Sequence, residues 1–379
     1  MRLQAHWLTH PGTLAVFDAL APHNVWFVGG CVRNGILGLP VDDIDICTDA
    51  LPETVMDLTR AAGLKAIPTG IDHGTVTIVA DGKPHEITTL RRDIETNGRH
   101  ASVLFTHQTS EDAARRDFTI NALYATRNGD VLDPNGEGLL DLGNRHLRFI
   151  GDPNARIAED YLRILRFFRF HAWYADPNGG MDQDALAACA ANIDGLTQLS
   201  RERVGAEIRK LLLAPNPAPA LATMDQTGIL NAILPGAQSH PLTVLTGLER
   251  NLAADPIRRL AAIGGDDAPD LLRLSKSDTK RLRLYRDEMG KLTTPGALGY
   301  LYGLPSAYDI LTLRAVAFEQ PPSAEAFSQA QTGASATFPI KAADLPDIQG
   351  PALGQRLNDL KTRWIDSQFT LTKAALLHE

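Results

Sequence analysis

The chain has 379 residues, of which 44% are hydrophobic, and its formal net charge at pH 7 is −8. This length exceeds one compact domain, so we expect two to four domains, and the composition is that of a soluble globular protein. The sequence has no run of eighteen apolar residues and no charged-then-apolar leader, which argues against a membrane or secreted protein and favours the cytoplasm.

The first informative stretch is an apolar run over residues 25–28 that ends at Gly29 and Gly30. The run predicts a buried strand, and the glycines allow a tight turn and a close approach of the backbone to a ligand. Arg33 follows on a helix predicted over residues 31–37. Backbone N–H groups and a guanidinium would then converge on one polyphosphate, although a plain structural turn is the alternative.

The next strand carries two carboxylates, Asp43 and Asp45, separated by Ile44. Strand side chains alternate, so the two carboxylates share a face and Ile44 points to the core. Adjacent carboxylates repel each other unless a cation lies between them. The pair therefore indicates Mg²⁺ bound together with the phosphates of a nucleotide, and a solvated strand end is the alternative.

The order and spacing of these residues resemble a known signature. Gly29-Gly30-x-x-Arg33 followed by Asp43-x-Asp45 resembles the nucleotidyltransferase motif of the polymerase beta superfamily, and residues 28–48 resemble the tRNA nucleotidyltransferase and poly(A) polymerase family. The resemblance implies a catalytic head that binds Mg²⁺ and a nucleoside triphosphate. One residue departs from the family, which usually has Asp where this chain has Asn34.

A helix over residues 52–62 and a β-hairpin over residues 74–80 and 84–90 are predicted next, with Asp81-Gly82 as the turn. Glu86 lies on the second strand of this hairpin. A third carboxylate beside a metal-binding pair can accept the proton of the attacking hydroxyl, which makes Glu86 a catalytic candidate. An edge-strand Glu that faces water is the equal alternative.

Residues 91–107 lose periodicity and predict a mobile loop able to close over a nucleotide. A helix with Ser110 as its N-cap follows and leads into the family's second motif, which includes Arg116, Asp117 and Asn121. Two Arg and an Asp at the mouth of a metal site would hold the triphosphate and the ribose hydroxyls, and Asn121 could fix either the loop or the sugar. An Arg-Arg-Asp run alone is more often a surface ion pair.

A strong helical pattern begins near residue 155. Asp160, Arg163, Arg166 and Arg169 are three apart and predict one polar stripe along a single helix. A carboxylate acceptor and a guanidinium donor can read the edge of a base, and Asp160 and Arg163 match the family's base-recognition motif, whereas a solvated helix face is the alternative. A helix capped by Ser200 resembles the last family motif and would brace this neck.

The acidic net charge alone speaks against a nucleic-acid partner, but a local basic excess lies in the helical C-terminal half. Residues 271–291 contain seven Lys or Arg and three acidic residues. We predict RNA contact by the following residues: Arg273, Lys276, Lys280, Arg281, Arg283 and Arg286.

The fold class expected from the resemblance is α+β, with a polymerase beta-like mixed-sheet nucleotidyltransferase head followed by an all-helical neck, body and tail. We predict the head over residues 1–142, the neck over 143–214 and the body and tail over 215–379. Three cysteines without a C-x-x-C spacing argue against a zinc site or a disulfide framework.

The implied function is Mg²⁺-dependent addition of CCA to the 3′ end of tRNA from CTP and ATP without a nucleic-acid template. Poly(A) polymerase and enzymes that add only A or only CC share the same motifs, so they remain alternatives. A non-catalytic RNA-binding protein on this scaffold is a further alternative. No obligate protein partner is evident.

Overall fold

The computed structural model describes residues 1–97, 100–249 and 252–378. These residues divide into two units, of which the first comprises Met1–Glu207 and Thr227–Ala232 and the second comprises the remainder. The head and neck segments predicted from the sequence thus fall almost wholly within the first unit. The finer division into head, neck and body stays a prediction.

The first unit contains a mixed sheet of seven strands in the order β3-β4-β5-β2-β1-β8-β9 and a separate pair, β6-β7. The strands are β1 (Val25–Val28), β2 (Asp45–Thr48), β3 (Lys65–Gly70), β4 (Thr75–Ala80), β5 (Lys83–Thr89), β6 (Arg91–Asn97), β7 (His100–Phe105), β8 (Tyr124–Ala125) and β9 (Val131–Leu132).

The sheet is mixed because β2 and β5 run parallel while the other pairings in it are antiparallel. This confirms the predicted mixed-sheet head with a helical remainder. The β4–β5 hairpin also forms as predicted, and both turn residues have positive φ, 51° at Asp81 and 70° at Gly82. Two consecutive positive φ values define the type I′ turn that matches the twist of a two-residue hairpin.

The prediction of a loop over residues 91–107 is wrong. Antiparallel β6 and β7 pair from Arg91 opposite Phe105 to Asn97 opposite His100, with a register shift between Asp93 and Glu95. Residues 98 and 99 lie outside the described residues. Backbone hydrogen bonds join the two strands to each other, and no strand of the large sheet pairs with them in the described part of the chain.

Helices flank the sheet and continue after it. They are α1 (Pro11–Ala19), α2 (Gly30–Leu37), α3 (Pro52–Ala61), α4 (Thr109–Ala114), α5 (Gly138–Gly143), α6 (Pro153–Glu159), α7 (Leu162–Tyr174), α8 (Gln183–Ala191) and α9 (Arg201–Leu212). The N-cap of α4 is Gln108, so the prediction of Ser110 as the cap is wrong.

The single neck helix predicted from residue 155 is also corrected, because it is two helices. Asp160 separates α6 from α7 and has extended backbone angles, φ −155° and ψ 105°. Its Oδ1 accepts a hydrogen bond of 3.1 Å from the backbone N–H of Leu162. Asp160 therefore lies in a break before α7 and does not belong to a continuous polar stripe.

An aromatic cluster fixes α7 against the chain that follows α4. The Phe118 ring lies 4.8 Å from that of Phe149 and 5.2 Å from that of Phe170, and Phe149 stacks on Phe167 at 5.8 Å. Such pairs contribute about 0.5–1.5 kcal/mol each beyond the burial of their area. The cluster holds the base-recognition candidates on α7 beside the second motif.

His171 on α7 makes stability sensitive to acid. Burial lowers the pKa of His171 to about 4, whereas an unfolded histidine titrates near about 6.5. Between these values the unfolded chain binds a proton that the folded chain does not bind, so the free energy of unfolding falls as the pH drops from about 6.5 to 4. We expect His171→Gln to flatten this part of the profile, measured by urea unfolding at pH 7, 6, 5 and 4.5. Parallel profiles for the two proteins would contradict the assignment.

The second unit is helical in its described part. After α9 it contains α10 (Ala218–Gln226), α11 (Ile229–Ile233, shared with the first unit), α12 (His240–Leu248), α13 (Pro256–Ile263), α14 (Ala268–Leu271), α15 (Lys276–Met289), α16 (Pro295–Val316), α17 (Ala324–Ser335), α18 (Pro351–Asp366) and α19 (Lys373–Leu377). A small C-terminal core forms around Leu360 and Trp364. In the described ranges, no helix combines the length and apolar composition that a membrane span requires.

Candidate active site

The predicted strand–turn–helix is present where β1 meets α2. Gly29 adopts φ 72°, and its N–H donates to the carbonyl of Leu123 at 3.0 Å. A Cβ on Gly29 would lie 3.4 Å from Nη1 of Arg116, and one on Gly30 would lie 3.8 Å from Nη2 of Arg33. The turn thus brings two guanidinium groups of the predicted site next to the start of α2.

Two of the three predicted catalytic carboxylates, Asp45 and Glu86, lie on adjacent parallel strands, and Asp43 comes just before the first of these strands. Asp45 begins β2, and its register partner on β5 is Glu86, so their side chains share one face. Asp43 lies two residues before β2 rather than on it, and Ile44 is half-buried rather than in the core. The strand is therefore shorter than the sequence predicted, but both aspartates remain exposed beside Glu86.

The electrostatics of this trio favour a bound cation. Desolvation raises the pKa of Asp45, and Asp43 raises it further, while Arg116 acts in the opposite direction. Desolvation also raises the pKa of Glu86, followed by the charges of Asp45 and Asp43. Each carboxylate thus destabilises the charge of the next, and a divalent cation would relieve that repulsion.

No group of three or more His, Cys, Asp or Glu side chains within the described ranges has the arrangement of a complete metal site. Mg²⁺ is commonly held by one or two carboxylates together with phosphate oxygens and water, and a protein cage of its own is not required. The exposed Asp43 and Asp45 pair fits that donor set.

A buried carboxylate holds Arg116 in place beneath the glycine turn. Asp112 on α4 accepts hydrogen bonds from Nη2 of Arg116 at 3.0 Å, from Nε of Arg115 at 2.9 Å and from the hydroxyl of Tyr124 at 2.6 Å. Burial opposes the charge of Arg116, but Tyr124 and Asp112 outweigh it and raise the pKa of this guanidinium. Arg116 is therefore a fixed positive charge, and its charge favours the ionised form of Asp45.

Asp117 and Asn121 form a second fixed group. Asp117 Oδ2 accepts from Nε of Arg166 at 2.7 Å, and its Oδ1 accepts from Nδ2 of Asn121 at 3.0 Å. Burial alone would raise the pKa of Asp117, but the positive charge of Arg166 and the hydrogen bonds to the carboxylate lower this pKa to about 2. Asn121 Oδ1 in turn accepts from Arg33. These contacts give both residues a structural role, and their predicted contact with the sugar stays a prediction.

The predicted base-recognition pair lies on one side of an open cleft of about 270 Å³. Asp160 Oδ2 accepts from Nη2 of Arg203 on α9 at 2.5 Å, and Arg163 donates to Glu159 at 2.5 Å and to the carbonyl of Arg156 at 2.8 Å. Asp160 and Arg163 therefore have separate partners and do not form an ion pair with each other. Arg116, Asp117 and Arg166 also line this cleft.

Arg169 has a different environment from the other three members of the predicted stripe. Its Nε donates to Glu207 at 2.5 Å, and its guanidinium lies 4.3 Å from the centre of the Phe170 ring. It does not line the cleft, so the structure gives it a bracing role between α7 and α9, and its predicted contact with a base is not supported by this geometry.

Sequence reasoning did not identify Asp112, Tyr124 or Arg203 as parts of the site. Arg203 lies in the segment after Ser200 that resembles the last family motif, so that motif held a usable signal. Tyr124 lies on a two-residue strand in an apolar run, and nothing in its local sequence marks its hydroxyl as a partner of a buried carboxylate.

In the second unit, α15 presents part of the predicted basic surface. Lys276, Lys280 and Arg283 are exposed and follow helical spacing, so they lie on one side of α15. Arg281 instead donates to Asp255 at 2.7 Å and to Tyr285, and Arg286 donates to the carbonyls of Gly264 and Gly265. Arg273 lies 3.5 Å from Asp270. Among the described residues, Lys276, Lys280 and Arg283 therefore remain as candidates for RNA contact, because the other three predicted cations contact a carboxylate or a backbone carbonyl of the protein.

Two family models match the chain. Residues 25–148 match the poly A polymerase head domain, and residues 180–240 match the probable RNA and SrmB-binding site of polymerase A. The first match contains every residue of the carboxylate trio and of the glycine turn. Asp160 and Arg163 lie between the two matched ranges.

Similar proteins and structures agree with these matches. The CCA-adding enzyme of Lacticaseibacillus paracasei is 31% identical over 384 residues, which cover 94% of this chain and 93% of that protein. The mitochondrial CCA tRNA nucleotidyltransferase 1 of Mus musculus is 36% identical over 244 residues, which cover 60% of this chain and only 56% of that protein. The chain thus spans about half the length of the mouse relative. The crystal structure of the Bacillus stearothermophilus CCA-adding enzyme in complex with CTP superimposes with a TM-score of 0.71 at 26% identity, covering 94% of this chain and 93% of that chain.

Proposed function

Because this chain belongs to the tRNA nucleotidyltransferase and poly(A) polymerase family, we propose that it adds CCA to the 3′ end of tRNA from CTP and ATP. The observation that carries this proposal is the cleft in which Asp160 and Arg163 have separate partners. A carboxylate and a guanidinium held in this way present an acceptor and a donor to a base. The relatives named CCA-adding enzymes support the choice of product.

In this proposal, Asp43 and Asp45 hold a divalent cation, and we assign it as Mg²⁺. The cation would stabilise negative charge on the triphosphate. Arg116 fixes a positive charge beside the glycine turn, where the N–H groups at the start of α2 also favour phosphate. The primer's 3′-hydroxyl attacks the α-phosphate and pyrophosphate leaves.

In this proposal, Glu86 accepts the proton of that hydroxyl. Its register position sets it beside Asp45, so that the base and the cation-binding pair would lie at the same edge of the site. The alternative, a glutamate that only faces water, makes no contribution to turnover.

The product is tested by incubating the purified protein with tRNA that lacks its 3′ end and with each nucleotide separately and in combination. Sequencing of the added tails should show C, C and then A. A long A tail would identify a poly(A) polymerase, and addition of only A or only CC would identify one of the partial enzymes. Absence of any addition, with tRNA still bound, would favour a non-catalytic RNA-binding protein.

The proposed activity requires a compartment that contains tRNA, and we propose the cytoplasm.

We further propose that Lys276, Lys280 and Arg283 contact the RNA backbone. Reversing Lys280 and Arg283 to Glu should weaken tRNA binding. It should also make the fall of the logarithm of the binding constant with the logarithm of the salt concentration less steep, by about 0.7–0.9 for each phosphate that the protein no longer neutralises. Lys83→Glu, an exposed lysine on β5, is the matched control and should leave the slope unchanged. Filter binding from about 50 to 300 mM salt, the range over which such slopes are steep, measures both. Equal slopes in the double variant and the wild type would exclude this surface.

A further inference from the structure

The guanidinium of Arg33 lies beside the glycine turn and is buried, with 5% of the residue exposed. A guanidinium has five N–H donors, one on Nε and two on each terminal nitrogen. Nε and Nη2 both donate to Oδ1 of Asn34, at 3.1 and 2.9 Å, Nη1 donates to Oδ1 of Asn121, and Nη2 donates to the hydroxyl of Tyr174 at 2.8 Å. In the part of the chain that the structure describes, these contacts leave one N–H of Nη1 for a ligand.

Tyr174, the last residue of α7, contacts Arg33 in two ways. Its hydroxyl accepts the hydrogen bond from Nη2, and the centre of its ring lies 3.9 Å from Cζ of the guanidinium. The ring of Phe170, one turn earlier on α7, lies 5.2 Å from the same carbon. A cation over an aromatic face is attracted to it, and the attraction strengthens where water is excluded. One side chain thus contacts both a face and an edge of the planar guanidinium.

The helix that carries Tyr174 also reaches the cleft proposed for the base. Arg163 and Arg166, near the start of α7, line that cleft. A rise of about 1.5 Å per residue separates Arg163 from Tyr174 by about 16 Å along the helix axis. One helix therefore contacts both the cleft proposed for the base and the arginine predicted to bind the triphosphate.

The orientation of Arg33 is important because this side chain remains charged. Burial lowers the pKa of Arg33, but an arginine remains protonated in a protein. A buried charged group is costly unless its donors have partners, so the guanidinium is confined to orientations that keep those partners. Tyr174 is the partner of Arg33 that comes from α7.

We propose that Tyr174 is a positioning residue that fixes the orientation of Arg33, so that the remaining N–H of Nη1 is directed to the triphosphate at the glycine turn. This inference rests on the proposed function, because it requires a nucleoside triphosphate at that turn. In this role Tyr174 acts through Arg33 and makes no contact of its own with the nucleotide.

The opposing explanation is that Tyr174 only packs α7 against Arg33 and stabilises the first unit. Variants of Tyr174 would then unfold more readily, but the folded protein would bind phosphate as the wild type does. A positioning role instead predicts weaker binding by the folded protein. The loss should be the same factor for CTP, ATP and inorganic tripolyphosphate, since these ligands share the phosphates and differ in the base.

Isothermal titration with these three ligands, in the absence of tRNA, distinguishes the explanations. We expect Tyr174→Phe, which loses the hydroxyl and keeps the ring, to weaken binding of all three by about threefold. Tyr174→Leu also loses the ring and should weaken binding by about tenfold or more. Tyr300→Phe, which removes the same hydroxyl in the second unit, is the matched control and should bind as the wild type does.

A double-mutant cycle tests whether Tyr174 acts through Arg33. Arg33→Lys keeps the positive charge and removes the planar group against which Tyr174 lies. If Tyr174 acts through Arg33, Tyr174→Leu should weaken tripolyphosphate binding by less than about twofold in the Arg33→Lys background, because residues that act together are not additive. An equal loss in the two backgrounds would contradict the inference.

The failures of the two proposals are distinguishable. If the wild type neither binds CTP nor extends tRNA, the proposed function is wrong. If the wild type does both, but the Tyr174 variants bind all three ligands as the wild type does, the inference about Tyr174 is wrong and the proposed function stands. A loss for CTP and ATP without a loss for tripolyphosphate also refutes the inference.

Circular dichroism checks that the variants fold at the temperature of the titration. If Tyr174→Leu does not fold, Tyr174→Phe completes the same cycle with Arg33→Lys, and its loss should again disappear in that background. If Arg33→Lys does not fold, the single variants of Tyr174 decide. A common loss for the three ligands then supports the inference, and unchanged binding overturns it.

Discussion

Asp45→Ala is expected to reduce nucleotide addition by about 100-fold or more, because a bound cation contributes several kcal/mol to stabilising the charge that develops on a phosphoryl group. The carboxylate is exposed at the start of β2 and is repelled by Asp43, so its removal should leave the fold intact. Asp43→Ala should have a comparable effect. Single-turnover rates with CTP and a tRNA that lacks its 3′ end measure the loss.

The chain offers a matched control in Asp42, an exposed carboxylate next to the pair that we assign no role. Asp42→Ala should retain a rate close to that of the wild type. Glu86→Gln should cost less than either substitution in the pair, and an unchanged rate there would make Glu86 structural. Turnover by Asp45→Ala at the wild-type rate would refute the metal site.

Binding of the cation can be measured without turnover. Adding Mg²⁺ together with CTP should raise the Tm of the wild type, since a ligand that binds only the folded state stabilises it by mass action. The added effect of Mg²⁺ over CTP alone should be lost in Asp45→Ala and kept in Asp42→Ala. An equal shift in all three proteins would place the cation elsewhere.

Local sequence patterns predicted the parts of the head that depend on local chemistry. The alternation of β4 and β5 and the Asp81-Gly82 turn are set by side chains within a few residues of each other, so they could be predicted. The β6–β7 hairpin could not, because residues 91–97 contain one apolar residue and therefore show no alternating apolar face.

The break at Asp160 shows why the geometry of the base-recognition residues was not predictable. Apolar residues continue with helical spacing on both sides of the break, since Ile157 on α6 and Leu162 and Leu165 on α7 are all buried. A periodic pattern therefore indicates one helix. The break itself involves the contact of Asp160 with Arg203, which lies 43 residues away in the chain. Only the folded structure brings that pair together.

The same distance in sequence hides the partners of the arginines. Of the predicted stripe, Asp160, Arg163 and Arg166 line one cleft and Arg169 does not, and the spacing gave no information on which charge neutralises which. The partners Asp112, Asp117 and Glu207 come from α4, the segment after it and α9. Family resemblance predicted the site residues, and the structure shows which of these side chains are held by partners within the protein.

The choice of nucleotide without a nucleic-acid template depends on Asp160 in our proposal. Cytosine and adenine carry an exocyclic amine on the Watson–Crick edge, and this amine can donate a hydrogen bond to a carboxylate. Uracil and guanine carry an oxygen at the same position, and this oxygen cannot donate. The Oδ1 of Asp160 is engaged by the N–H of Leu162 and its Oδ2 by Arg203, and each oxygen has a further lone pair for a base.

We therefore expect Asp160→Ala to relax discrimination against UTP and GTP by about 1–3 kcal/mol, which is the usual worth of a bidentate base contact. Arg163→Ala should impair the use of both CTP and ATP, because its guanidinium would donate to the neighbouring ring nitrogen or carbonyl. Arg169→Ala is the matched control, since Arg169 is paired with Glu207 and does not line the cleft. It should change stability and leave the order of nucleotide preference intact.

Incorporation of all four nucleotides by each variant, expressed as ratios of kcat/KM, decides the question. A bracing role for Asp160, through Arg203 alone, predicts a loss of stability or of overall rate with the preference for C and A unchanged. The ratio between nucleotides cancels such general losses, because they affect all four substrates equally. An unaltered preference in Asp160→Ala would therefore exclude base recognition by this residue, even if the variant were slow.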